Sequence, residues 1–321
     1  MVGSKRIVSV TLLLPVILTG CSFFQMSPYA ASIAYIQQQK SLAGVALPST
    51  STYGTLECET DGTHEVVYLL QYGSASGTHL VICDSNLNTM YSGFSLQYGR
   101  FHLVEQSGKF VIGTTEFDPT LAAPVPAPIT FGGGNQYSPD SQGFYDGSSN
   151  YVALSVNSVT SPASSTLNAA FYPAPGWYTP SSYSYQLSST TALNNISHLT
   201  VDTAHNLVSA VVSDSTTSYI IQFAPTQSGL AALTQPILTS SAMVYQQSGS
   251  NAPELFPISG GVIYVSNNQL TYEPVPSSGT TTGITLPDKS GSYMIAANPD
   301  GTHIYVYDRN TDKLYRYGAW W

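Results

Sequence analysis

Charge is scarce in this chain: 8% of its 321 residues are Asp, Glu, Lys or Arg, and nine Lys and Arg stand against 18 Asp and Glu. So few cations cannot neutralise a run of phosphates, which excludes nucleic acid and anionic lipid headgroups as partners of the folded surface. Cysteine is scarce too. The three present form no Cys-x-x-Cys pair and no haem attachment motif, and no glycine-rich phosphate loop occurs, so no cofactor is expected. A Gly-x-Ser-x-Gly nucleophile turn is missing, because Gly73-Ser74-Ala75-Ser76-Gly77 carries Ala75 where the serine must stand. His64-Glu65-Val66-Val67-Tyr68 lacks the second histidine of a zinc-protease motif and has strand rather than helical periodicity. Beyond residue 20 no apolar run is long enough to span a bilayer, and helical periodicity is hard to find.

What is abundant is Ser, Thr, Asn, Gln, Gly and 23 Tyr, with short aliphatic runs bounded by turn residues. Tyr, Thr and Val fit pleated strands, so the fold class is all-β. Gly77-Thr78-His79 to Tyr91 is echoed by Gly301-Thr302-His303 to Tyr315: a glycine turn, Thr-His, an aliphatic strand, an Asp-x-Asn turn and a returning strand. Taking one turn-then-aliphatic start per unit gives Gly62, Gly108, Asn150, Asn206, Gly261 and Gly301, spaced 46, 42, 56, 55 and 40 residues apart. Those intervals suit four-stranded propeller blades of about 40–50 residues. Asn298-Pro299-Asp300-Gly301 followed by Ile304-Tyr305-Val306 resembles the turn and strand of YVTN-type bacterial β-propellers. The two echoing segments are offset by 224 residues, five blades of about 45 or six of about 37, so the expected architecture is a β-propeller of six or seven four-stranded blades, six being preferred; a β-solenoid or a pair of β-sandwiches are the alternatives.

The start of the chain carries an address. Lys5 and Arg6 precede an apolar run from Ile7 to Leu18 that is too short for a stable membrane span and reads as a signal peptide. It ends in Leu18-Thr19-Gly20-Cys21, which resembles the bacterial lipobox; the alternative is an ordinary signal peptide with an incidental cysteine. The resemblance implies a lipoprotein: residues 1–20 are removed, Cys21 is acylated with palmitate-type chains, and residues 21–50 tether a propeller domain spanning 51–321. Ser22 after the cysteine implies the outer membrane by the enterobacterial sorting pattern. Losing Lys5 and Arg6 from the nine basic residues leaves seven against 18 acidic, a net charge of −11.

Candidate sites follow. Cys58 and Cys83 are an even pair left for a disulfide in an oxidising compartment. Tyr172, Trp177, Tyr178, Tyr183 and Tyr185 lie in a Ser/Thr/Pro-rich stretch, 158–189, read with 118–134 as an insertion decorating the ring; such aromatics suit a protein or glycan partner, or pack the loop down. Asp308-x-Asn310-x-Asp312 and Asp84-x-Asn86-x-Asn88 have the alternating oxygens of a calcium loop, yet Lys313 and Ala319 break the rest of that pattern, so turn capping is expected. His79 and His303 occupy equivalent places in the repeat; a shared metal or proton-transfer pair is open to them if the first and last blades adjoin, but a structural Thr-His at a strand start explains the repetition more cheaply and is the preferred reading. Trp320-Trp321 either finishes the last blade or hooks a partner. A short helix is expected between Tyr29 and Gly44. No catalytic or metal residue is assigned. The functional expectation is a membrane-anchored, non-catalytic binding propeller, with a propeller hydrolase, lyase or lactonase acting on extracytoplasmic sugars or esters as the alternative.

Overall fold

The structure is a computed structural model that describes residues 35–45, 52–60, 63–73, 77–95, 103–106, 109–112, 115–117, 127–128, 142–145, 151–172, 181–232, 237–239, 243–248, 254–275, 281–289 and 291–321. Residues 1–34, with Cys21, lie outside the described residues.

Strand β1 (Ile36–Ser41) stands ahead of six groups of strands. Blade 1 holds β2 (Thr52–Thr60), β3 (Glu65–Gly73), β4 (Gly77–Asp84) and β5 (Thr89–Ser95). Blade 2 is small: β6 (Leu103–Gln106), β7 (Lys109–Ile112), β8 (Thr115–Phe117) and β9 (Ala127–Pro128). Blade 3 has the longest hairpin, with β10 (Gln142–Tyr145), β11 (Tyr151–Thr160), β12 (Ala163–Tyr172) and β13 (Ser181–Ser188). Blade 4 holds β14 (Asn195–Asp202), β15 (Leu207–Ser213), β16 (Thr217–Phe223) and β17 (Met243–Ser248), with a short helix α1 (Gln227–Ala231) before β17. Blade 5 holds β18 (Leu255–Ile258), β19 (Gly261–Ser266), β20 (Gln269–Pro274) and β21 (Thr282–Thr285). Blade 6 holds β22 (Tyr293–Ala297), β23 (His303–Asp308) and β24 (Lys313–Gly318), and its fourth strand is β1.

Within each sheet the strands pair antiparallel, and the first strands of successive blades touch in turn, β22 finally lying against β2. The ring is closed. It is a six-bladed β-propeller.

All six landmark residues picked from the sequence precede or open the second strand of a blade, so they mark one recurrent turn. The repeat that first suggested the ring is, however, out of step. Gly77 opens the third strand of blade 1, whereas Gly301 precedes the second strand of blade 6, so their 224-residue offset is not a whole number of blades. The likeness is that of two hairpins with the same Asx turn. Gly301 has φ +71, and a Cβ there would lie 2.6 Å from Ile258 Cδ1, so this turn needs glycine twice over.

Two expectations are corrected. Ile36–Ser41 is a strand inside the stretch read as tether and helix: its burial alternates with period two, and pairing with β24 satisfies an outer edge that a helix would leave open. Most of 158–189 is likewise no insertion but the body of blade 3. There Ser165, Leu167, Ala169 and Phe171 turn inward in strict alternation, a pattern masked in the sequence by small polar neighbours. The 118–134 stretch contributes β9; its remainder lies outside the described residues.

Apolar packing fills the clefts between blades. One cluster joins blades 5, 6 and 1 through Phe256, Ile263, Leu56, Val67, Tyr305 and Tyr317; a second joins blades 3 and 4 through Phe144, Leu154, Leu167, Ile196 and Val208. Fully burying one such side chain contributes about 1.5–3 kcal/mol. Trp320 and Trp321 pack onto blade 5: Trp320 Nε1 donates to the Thr282 carbonyl at 3.3 Å, and Trp321, still 40% exposed, stacks on Tyr272 at 4.1 Å.

The disulfide does not form. Cys58 on β2 pairs with Val67 on β3, and Val67 pairs with Cys83 on β4. The two cysteines are thus separated by a whole strand, roughly 10 Å at the spacing of sheet neighbours, beyond the roughly 7 Å reach of a disulfide. Both are buried free thiols. Burial, then the surrounding carboxylates, push the Cys58 thiol well above its ordinary value, and burial raises Cys83 to about 11. Native protein should therefore resist a maleimide at neutral pH, and denatured, unreduced protein should take up label at both positions. Blocked thiols after denaturation would contradict this geometry.

Candidate functional site

The central channel holds the only acid-histidine cluster that crosses the ring among the described residues. Glu57 comes from the first strand of blade 1 and His198 from the first strand of blade 4, which stand opposite each other in a ring of six. Glu254, just ahead of β18, arrives from blade 5. Glu57 Oε1 lies 3.0 Å from His198 Nδ1, and Glu254 Oε1 lies 2.6 Å from His198 Nε2. His198 reaches this position through a bulge: pairing slips between Ser197 and Leu199, and its φ is +50, in the left-handed region. A side chain that would otherwise follow the strand alternation is thereby re-aimed toward the axis. The Phe256 ring, 5.2 Å away, packs against the imidazole, and the Thr55 hydroxyl donates to Glu57 Oε1 at 3.1 Å.

Burial alone would lower the His198 pKa, but the charges of Glu57 and Glu254 and the hydrogen bond to Glu254 outweigh it and raise it to about 10. The ring is an imidazolium at neutral pH with a carboxylate on each nitrogen. It is a fixed cation spanning the channel, in no position to shuttle a proton. Glu57 and His198 are nearly inaccessible, and only Glu254, with 37% of its side chain exposed, opens toward solvent.

A second cluster sits at the seam between blades 6 and 1. Glu65, at the start of β3, accepts from His303 Nδ1 at 2.8 Å and from the Tyr305 hydroxyl, while its other oxygen accepts from Asn298 Nδ2 at 2.9 Å. Asn298 Oδ1 in turn accepts from the His303 amide at 2.9 Å. Burial, then Cys58 and Glu65, push the Tyr305 phenol far above its ordinary value, so it remains a donor. One rim of the ring is sewn together in this way, for the neighbouring turn also donates from Ser259 N to the Pro299 carbonyl at 2.6 Å.

His79 and His303 do not meet. His79 pairs in register with Gln71, at the opposite end of β3 from Glu65, which is about 20 Å away at the rise of a strand. The Asp-x-Asn turns cap themselves as expected: Asp84 Oδ1 accepts from the amides of Asn86 and Asn88, and Asp308 accepts from the Asn310 amide and the Thr311 hydroxyl. The tyrosine cluster divides. Tyr172 and Tyr185 are buried on opposite faces of blade 3, while Tyr183 is exposed and meets Phe171 edge-on at 5.6 Å. Trp177 and Tyr178 lie outside the described residues.

No protein-family model matches the chain, and no curated protein matches it. Among solved structures, it is similar to the β-propeller domain of Cps50 (Swd1) from Myceliophteria thermophila, with 11% identity over 88% of this chain and 100% of that one, at a TM-score of 0.45. A luciferin-regenerating enzyme gives 11% identity over 88% and 95%, TM-score 0.43, and the Neurospora crassa Pan2 WD40 domain gives 9% over 87% and 93%, TM-score 0.42. These neighbours include an enzyme and WD40-type domains alike, so the likeness leaves function open; the fold itself rests on the ring of sheets.

Sequence reasoning missed the channel cluster. Its members are 141 and 56 residues apart, and each looks isolated in the sequence. One signal was present: Glu57 and Glu59 flank Cys58 in a strand of a chain with little charge, and a carboxylate on an inner strand needs a partner.

Proposed function

We propose that this protein is a lipid-anchored, non-catalytic binding propeller of the bacterial cell envelope, presenting its rims and outer strands to a protein or glycan. The observation that carries the binding half of this reading is the occupied channel: the place where a propeller enzyme gathers free acids and bases is spanned by a carboxylate–imidazolium–carboxylate bridge whose groups are committed to one another. The anchoring half rests on Leu18-Thr19-Gly20-Cys21. Acyl chains contribute about 0.8 kcal/mol per buried methylene, and more than one chain makes attachment durable.

Cys21→Ser should move the protein from the membrane fraction to the soluble fraction and abolish incorporation of radiolabelled palmitate. Retention of both membrane association and label in the variant would refute the anchor.

A hydrolase or lyase remains the second reading, favoured by one feature: Glu65 holds His303 through Nδ1, which is how a carboxylate orients an imidazole whose other nitrogen does acid–base work. Turnover of any ester or glycan that disappears in His303→Ala would favour it over the binding module.

A further inference from the structure

A groove of about 610 Å³ opens between the outer strands of blade 6 and the connection from blade 5, and it lies away from both clusters described above. Its wall is built by register. Gln39 pairs with Tyr315 and Ser41 with Lys313, so Gln39, Tyr315 and Lys313 share one face of the sheet. Pro287, Asp288, Asp308 and Thr311 line the rest of it. Asp288 is set firmly: its amide donates to the Tyr293 hydroxyl oxygen at 2.9 Å, and its carboxylate accepts from Asn310 Nδ2 at 3.3 Å.

The chemistry of this lining is selective. Side-chain amides from Gln37 and Gln39 both donate and accept, Thr311 does the same, and Asp288 accepts strongly. The charged lining is Lys313 with Asp288 and Asp308, a net charge of −1, and the Asp308 oxygens are already held by the Asn310 amide and the Thr311 hydroxyl, so the groove has neither the field of a polyanion site nor that of a polycation site. Tyr315 borders the groove but is only 4% exposed, so the polar groups carry the recognition. Many hydrogen-bonding groups of mixed sense and a net charge of only −1 match a neutral ligand dense in hydroxyls. The volume falls within the roughly 300–1,000 Å³ of small-molecule sites.

We propose that this groove binds a short neutral saccharide. The proposal deepens the binding-module reading and rests on it. Saturation-transfer difference NMR on the detergent-solubilised full chain, with cellotriose, maltotriose and tri-N-acetylchitotriose as probes, tests it. At least one trisaccharide should receive transfer. Gln39→Ala and Asp288→Asn should each weaken its apparent affinity about tenfold, the loss expected from one hydrogen bond to a charged or well-set group. Val159→Ala, an exposed position near the end of β11, should change nothing, and unaltered melting curves establish that the variants fold. The proposal is overturned if no probe receives transfer, if the groove variants bind as well as the parent, or if trialanine competes equally for the same place. Failure of all three sugars leaves the binding-module reading standing with a protein partner; appearance of shortened sugars refutes its non-catalytic claim while sparing the groove.

Discussion

His198→Ala should lower the unfolding free energy by about 3–5 kcal/mol, the usual consequence of removing one partner from a buried ion pair. Its cost lies in what remains. Glu57, 2% exposed, would keep one oxygen bonded to Thr55 and the other without a hydrogen-bond partner among the described residues, with no cation across the channel. A pH dependence follows from the same bridge. Folded His198 holds its proton up to about pH 10, while an unfolded histidine releases it near its ordinary 6.5. Its stabilisation is therefore complete below pH 6.5 and declines as pH climbs to about 10, because the native state binds the extra proton in that window. Melting temperature measured across this range should fall in the parent and lose that component in His198→Gln. A flat parental profile, or a variant as stable as the parent, would remove the bridge from any account of stability.

Deleting Ile36–Ser41 should be comparably severe. Five residue pairs join β1 to β24. With roughly one ladder hydrogen bond per pair at about 0.5–1.5 kcal/mol net, the loss is on the order of 3–7 kcal/mol, a large share of the 5–15 kcal/mol that holds typical domains. Amide hydrogen exchange should accelerate most along β24, whose outer edge becomes free. An unchanged melting temperature after the deletion would mean that β1 contributes nothing to closure.

The sequence displayed the turns better than the sheets they connect. Gly62, Gly108, Asn150, Asn206, Gly261 and Gly301 were legible because a turn leaves its mark in one or two residues, and six such marks were enough to indicate the blade count. Pairing across the chain was not legible. The partner of β1 lies 270 residues or more downstream, and nothing in Ile36-Gln37-Gln38-Gln39-Lys40-Ser41 specifies it beyond an alternation also open to a helical reading. The proposed disulfide failed for the same kind of reason: cysteine parity says nothing about an intervening strand. His303 drew attention through its repeat, yet its bonded partner is Glu65, which came into view only through the rejected zinc pattern.

The borrowed fourth strand of blade 6 also orders events in time. During synthesis Ile36–Ser41 leaves the ribosome among the first residues of the ring, and Lys313–Gly318, to which it must bond, among the last. Blades 1 to 5 can assemble from local hairpins as they appear, but the final clasp has to wait for the whole polypeptide, and such distant pairing is slow. A stalled or clipped product would carry an open circle with two unsatisfied edges, chemically distinct from the finished molecule and recognisable as such by a protease.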